Sequence, residues 1–177
     1  MKTTLMIIVL FLSTSVWAAS DVSSFHRLIV LNDKDEILLV QIKDVGFWVT
    51  PGWYQDEKQN IQTGLKNLAE DYGLVITPPK LKGMFSLKGQ DNKIYSIRNV
   101  YVARAKAYQK TYPAIISDAR WLPLEQATEL MTFPHINFML EQVINRPDKL
   151  WGGTIQRYKE KEAFKAKIVE PFYILGD

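Results

Sequence analysis

Two apolar runs near the start of the chain, Phe25 to Asn32 and Glu36 to Lys43, are rich in aliphatic and β-branched residues and flank the polar triplet Asp33-Lys34-Asp35. Runs of this kind broken by turn formers predict two strands joined as a hairpin. Phe47 to Thr50 predicts a short strand running into the Pro51-Gly52 turn, and Gln55 to Asn60 is polar enough to be a loop. The period then changes. Ile61, Leu65, Leu68 and Ala69 recur at the spacing of one helix face, which predicts a helix from Ile61 to Tyr72, with Gly73 at the left-handed position where helices commonly stop.

Pro78-Pro79 breaks the chain, after which Lys82 to Lys88 and Ile94 to Ala105 predict a second strand pair around Gly89-Gln90-Asp91-Asn92. Ile115 to Trp121 predicts a further strand. Pro123 opens a helix to about Met131, Phe133-Pro134 interrupts it, and Ile136 to Asn145 predicts another. In the tail, Lys159 to Lys167 alternates in sign as a solvated helix does, and Ile168 to Leu175 reads as a strand. The chain has no internal repeat.

At the N-terminus, Lys2 precedes an apolar run from Leu5 to Leu12, and Val16-Trp17-Ala18-Ala19 sets small residues where a signal peptidase cuts. This pattern predicts a leader over residues 1–18, cleavage near Ala18 and a periplasmic or secreted product. The run is shorter than the roughly 20 apolar residues a bilayer core needs, so no stable membrane insertion is expected once the leader is removed. The rest divides into a domain over 19–148 and a C-terminal extension over 149–177, predicted as a helix plus a strand.

A length of 177 residues allows one domain with a sizeable core and leaves no room for a second enzyme domain. The composition, 47% hydrophobic and 23% charged, is ordinary for a globular chain, and a formal charge of +3 is too small to predict a nucleic-acid polymer as partner. Cysteine is absent and histidine occurs only as His26 and His135. Thiolate chemistry and histidine-rich zinc sites are thereby excluded, and any metal must be held by oxygen. Both histidines read as structural residues, since neither has a nucleophile or a second ligand at useful spacing.

The oxygen donors stand out in the helix ending at Gly73. Asn67, Glu70 and Asp71 fall within an arc of about 100° on a 3.6-residue period, so one helix face could present them to a metal ion. The same residues also describe an exposed acidic helix end.

The stretch Lys66-Asn67-Leu68-Ala69-Glu70-Asp71-Tyr72-Gly73-Leu74 resembles the box of the Nudix hydrolase superfamily, G-x5-E-x7-R-E-U-x-E-E-x-G-U with U aliphatic. Counting back from Gly73 sets Gly52 on the first glycine, Lys58 on the loop glutamate, Lys66 on the arginine, Asn67 on the first helical glutamate, and Glu70 and Asp71 on the last two acids. Trp48-Val49-Thr50-Pro51-Gly52 is similar to the W-x-x-P-G-G that opens the box in the family, although anchoring there sets Trp53 on the box glycine and leaves the loop one residue short. Asp118-Ala119-Arg120-Trp121 is similar to a late acid-x-x-Trp segment of many members. The resemblance covers roughly Phe25 to Asn145 and implies an α+β Nudix fold, a mixed β-sheet sandwiched between α-helices.

It also implies a magnesium or manganese ion held by Glu70, Asp71 and, weakly, Asn67, with Glu57 or Asp118 as candidate base. Trp53, Tyr54 and Arg98 are then candidate ligand contacts, whereas Trp48 reads as core, and Arg98 and Lys93 also read as plain solvated cations. The box is degenerate: Lys58 sets a cation where the family has an anion, and Asn67 offers only a neutral oxygen. Two functions remain. One is a Nudix-like module that binds a small phosphorylated ligand or a protein with weak or no catalysis. The other is a metal-dependent hydrolase of a nucleoside diphosphate linked to another moiety.

Overall fold

The computed structural model describes residues 21–176. The leader predicted over residues 1–18 and its cleavage near Ala18 lie outside the described residues. In chain order the elements are β1 (Ser23–Leu31), β2 (Ile37–Ile42), β3 (Trp48–Val49), β4 (Gly52–Tyr54), α1 (Ile61–Asp71), β5 (Leu74–Ile76), β6 (Lys80–Lys88), β7 (Ile94–Tyr108), β8 (Ile116–Leu122), α2 (Leu124–Leu130), α3 (Pro134–Asn145), β9 (Leu150–Glu160) and β10 (Ala163–Gly176).

The strands make one mixed sheet in the order β10-β9-β6-β7-β1-β2-β3, with β4 also on β1, β5 on β7 and β8 on β2. Two pairings are parallel, β1 with β7 and β6 with β9. Successive strand side chains point to opposite faces. Leu28, Val30, Leu38 and Val40 therefore join Leu65, Ala69 and Tyr72 of the α1 segment in one cluster, while Ile29, Leu31, Ile37 and Leu39 join Ala127, Ile136, Met139, Leu140 and Val143 of α2 and α3 in another. A sheet covered on both faces explains why β1 and β2 read as continuous apolar runs rather than alternating ones. The architecture is α+β, a mixed sheet between helices.

The α1 helix forms where its sequence predicts. Asn60 caps it, its Oδ1 accepting from the Thr63 N–H at 2.8 Å, and Gly73 follows the C-terminus with φ +63°. The first hairpin is shorter than expected. β1 and β2 share only the Leu31–Ile37 pair before they diverge, β1 toward β7 and β4, β2 toward β3 and β8.

The tail differs from the expectation of a charged helix over Lys159 to Lys167. Those residues form the end of β9, a turn at Lys161 (φ +54°) and the start of β10. Phe164 and Ala166 turn inward while Lys165 and Lys167 face solvent, a period of two that the sign alternation concealed. The extension is thus a hairpin, and its first strand continues the sheet beside β6. Among the described residues, no helix is long and apolar enough to cross a membrane.

Candidate functional site

The divergence of β1 from β2 opens a wedge in the sheet, and a cavity of about 290 Å³ occupies it. Val40 and Ile42 of β2, Val49 of β3 and Ile116 of β8 form apolar walls, and Tyr72 at the end of α1 closes one side. The opposite side is strongly basic. Arg27 comes from β1, Arg98 from β7 and Arg157 from β9, and His135 from the first turn of α3. Parallel pairing makes the first two neighbours: Phe25 lies beside Arg98 and Arg27 beside Val100, so Phe25, Arg27 and Arg98 share a face.

Arg27 and Arg98 are 4% and 3% exposed. Arg27 donates through Nη1 to the Thr50 carbonyl and hydroxyl, and Arg98 donates through Nη2 to the Tyr54 hydroxyl at 3.2 Å. Beyond these bonds, aromatic rings supply the compensation. The Arg98 guanidinium sits 4.6 Å from the Phe25 ring centroid, that of Arg27 5.1 Å, and that of Arg157 5.9 Å from the Phe133 centroid. The Nε atoms of Arg27 and Arg98 and the Nδ1 of His135 are buried without a hydrogen-bond partner. Among the described residues, no carboxylate lines the cavity and none of the three arginines forms a salt bridge.

The electrostatics follow from that composition. Burial, then the charge of Arg98, pulls Arg27 down to about 9. Burial holds His135 well below the ordinary imidazole range, and the charges of Arg27, Arg157 and Arg98 push in the same direction. The Tyr72 hydroxyl is pushed up to about 12 by burial and by Asp71.

The acids singled out in the sequence lie elsewhere. Glu70 and Asp71 are exposed; Glu70 meets Lys66 at 3.5 Å and borders a separate groove between α1 and β5. The exposed Asn67 amide donates to Gln59 Oε1 at 3.1 Å. Glu57 is exposed in the 55–60 loop, and Asp118 pairs with Arg120 at 2.9 Å. None of these five lines the cavity. Asn67 and Glu70 have protein partners, and among the described residues no group of three or more acids or histidines gathers. Of the predicted ligand contacts, Arg98 and the half-exposed Tyr54 line the cavity, while Trp53 does not. Its indole stacks on His26 at 4.7 Å and fills the space beside Gly64 under α1. Trp48 is in the core, as read.

Three participants were missing from the sequence reading. Arg27 is flanked by buried strand residues, Arg157 falls in the tail, and His135 reads as structural. The one local sign was an arginine inside an otherwise apolar strand, His26-Arg27-Leu28-Ile29.

No protein-family model matches the sequence, and no curated protein does. Solved structures match well. A MutT protein from Bacillus halodurans superposes with a TM-score of 0.63 at 23% identity, covering 85% of this chain and all of its own. The NUDIX domain of Shewanella oneidensis NrtR, complexed with ADP ribose, gives 0.60 at 21% identity, with 73% of this chain and 90% of that one covered. A MutT protein from Methanosarcina mazei gives 0.60 at 18% identity over 73% of this chain and 98% of its own.

Proposed function

We propose, starting from the Nudix fold that this chain has, that it binds a small phosphorylated ligand in the wedge cavity and hydrolyses it weakly or not at all. The carrying observation is the separation of charge: three guanidiniums surround the cavity without an acid, while Glu70 and Asp71 stand in solvent away from it. Guanidinium forks suit phosphate oxygens, and a neutral histidine beside them can donate a further hydrogen bond. The structural neighbour complexed with ADP ribose shows the same fold with a phosphorylated ligand. Metal-dependent catalysis would need carboxylates at the ligand, because magnesium is normally anchored by them against substrate phosphates.

The rival reading is a magnesium- or manganese-dependent hydrolase of a nucleoside diphosphate linked to another group, with Asn67, Glu70 and Asp71 on the metal and Glu57 or Asp118 as base. A panel of diphosphate compounds, assayed with and without each metal, separates the two. Binding by calorimetry with phosphate release equal to the no-protein blank is the expected result. Metal-dependent release that disappears in Glu70→Gln overturns it, since losing a catalytic group costs about 10²- to 10⁴-fold.

Export is also part of the proposal, and it rests on Lys2, the Leu5 to Leu12 run and the small residues around Ala18. Fractionation of a producing bacterium followed by N-terminal sequencing should recover a chain beginning near Ala19. Recovery of the whole chain, Met1 included, from the cytoplasm alone would sink this part.

A further inference from the structure

We propose that the wedge cavity is a metal-independent site for a terminal phosphate-type dianion, and that His135 takes up a proton together with that dianion, so that the site tightens as pH falls. This rests on the reading above that the cavity is the ligand site, and adds the ionic form of the ligand and its coupling to protons.

The charge inventory comes first. Arg27 and Arg98 are almost fully buried, Arg157 is half-buried beside them, and among the described residues rings, Thr50 and Tyr54 provide their compensation. Burying charge without a counter-ion is costly, and three like charges raise that cost. A mobile anion removes it, and the Nε atoms of Arg27 and Arg98 have no other partner to offset their burial. One negative charge would leave the cluster under-neutralised. A phosphate monoester end, carrying about −1.5 to −2 near neutral pH, matches it better.

Size and metal preference follow. At about 290 Å³ the cavity equals roughly ten water volumes, room for a phosphate and a small substituent, so that a bulky remainder would lie at the mouth by half-exposed Tyr54. A phosphate arriving as its magnesium complex would carry the cation toward three guanidiniums and find no carboxylate in the lining. The free dianion is therefore the form bound, and magnesium competes for it.

His135 supplies the proton link. It is 2% exposed, with Nδ1 unpartnered. The charged groups acting on it are Arg27 from β1, Arg98 from β7 and Arg157 from β9, and the other titratable groups lining the cavity are Tyr54 of β4 and Tyr72 beyond α1. None of these groups is a carboxylate. The empty site keeps the imidazole neutral, whereas a dianion reverses the local field and favours the protonated ring. The bound state thus holds more protons than the free state, and affinity rises as pH falls through the bound-state pKa. In the empty chain the same depression means stability drops as pH falls below the ordinary value of 6.5, and the anion offsets that drop.

Sulfate is the probe of choice, because it has the shape and charge of a phosphate dianion and does not itself titrate across this range. Calorimetric titration of the chain with sulfate in EDTA, in two buffers of different ionisation heat, should show binding with uptake approaching one proton. Affinity should rise as pH falls, by at most about tenfold per pH unit. Phenyl phosphate should bind under the same conditions and dimethyl phosphate, a monoanion, far more weakly. His135→Gln should bind sulfate without proton uptake. Arg98→Met should lose roughly 10- to 150-fold in affinity while melting no lower than the parent without anion. Binding that requires magnesium or manganese overturns the proposal while leaving the ligand-site reading intact, and no binding of any phosphorylated compound with or without metal sinks both. Sulfate binding without proton uptake by the unmodified chain overturns the role of His135.

Discussion

Phe85→Ala is expected to lower the unfolding free energy by about 3–5 kcal/mol, the range for deleting a large ring from a closed core. Phe85 lies on β6 with 1% exposure, inside the cluster that α2 and α3 cover. Its ring meets Phe172 of β10 edge to face at 5.2 Å, so it joins the central sheet to the C-terminal hairpin. Denaturant melts would read the loss directly. Phe172→Ala should cost less, because that ring is only half-buried and the aromatic pair itself contributes about 0.5–1.5 kcal/mol. A Phe85→Ala loss no larger than the roughly 0.5 kcal/mol of an ordinary surface change would mean that the C-terminal hairpin is not packed on the core as described.

The second large effect is expected at Gly73, with Gly46 as its control. Both have φ in the left-handed region, +63° and +68°. At Gly46 an added Cβ would find Gln41 Nε2 at 3.8 Å, ordinary contact, so Gly46→Ala should cost only the conformational penalty of about 1–2 kcal/mol. At Gly73 the same atom would land on the Gln109 carbonyl oxygen and the Thr111 hydroxyl. The Gln109 segment cannot retreat freely, because its N–H donates to the Gly73 carbonyl at 2.8 Å. Strain and overpacking together should cost Gly73→Ala roughly 2–5 kcal/mol. The preceding residue, Tyr72, lines the cavity, so anion affinity should weaken as well. Equal melting temperatures for the two variants would refute the close approach at Gly73.

These residues also show what the sequence could and could not disclose. The apolar runs of β1 and β2, the helical period of α1 and the Gly73 stop are local signals, each written within a few neighbours, and they brought the fold with them. The basic cavity is not local. Arg27, Arg98 and Arg157 meet through two parallel pairings, β1 with β7 and β6 with β9, and parallel pairing leaves no turn between partners to announce it. Arg98 on its own is indistinguishable from a solvated cation in a hairpin. The acids at the end of α1 drew notice because helical spacing is visible in one dimension, although Lys66 and Gln59 engage two of the three donors. The tail misled for a related reason: alternating charge suits a wet helix and an edge hairpin equally, and only the inward Phe164 and Ala166 distinguish them.

The parallel docking of β9 on β6 means that the last guanidinium of the cluster is delivered by a strand far downstream of the first two. A chain still emerging from a ribosome, or clipped before Arg157, holds only part of the positive field and has no wall on that side. A chain ending before the β9–β10 hairpin would keep Arg27 and Arg98 but face the cavity with two guanidiniums in place of three.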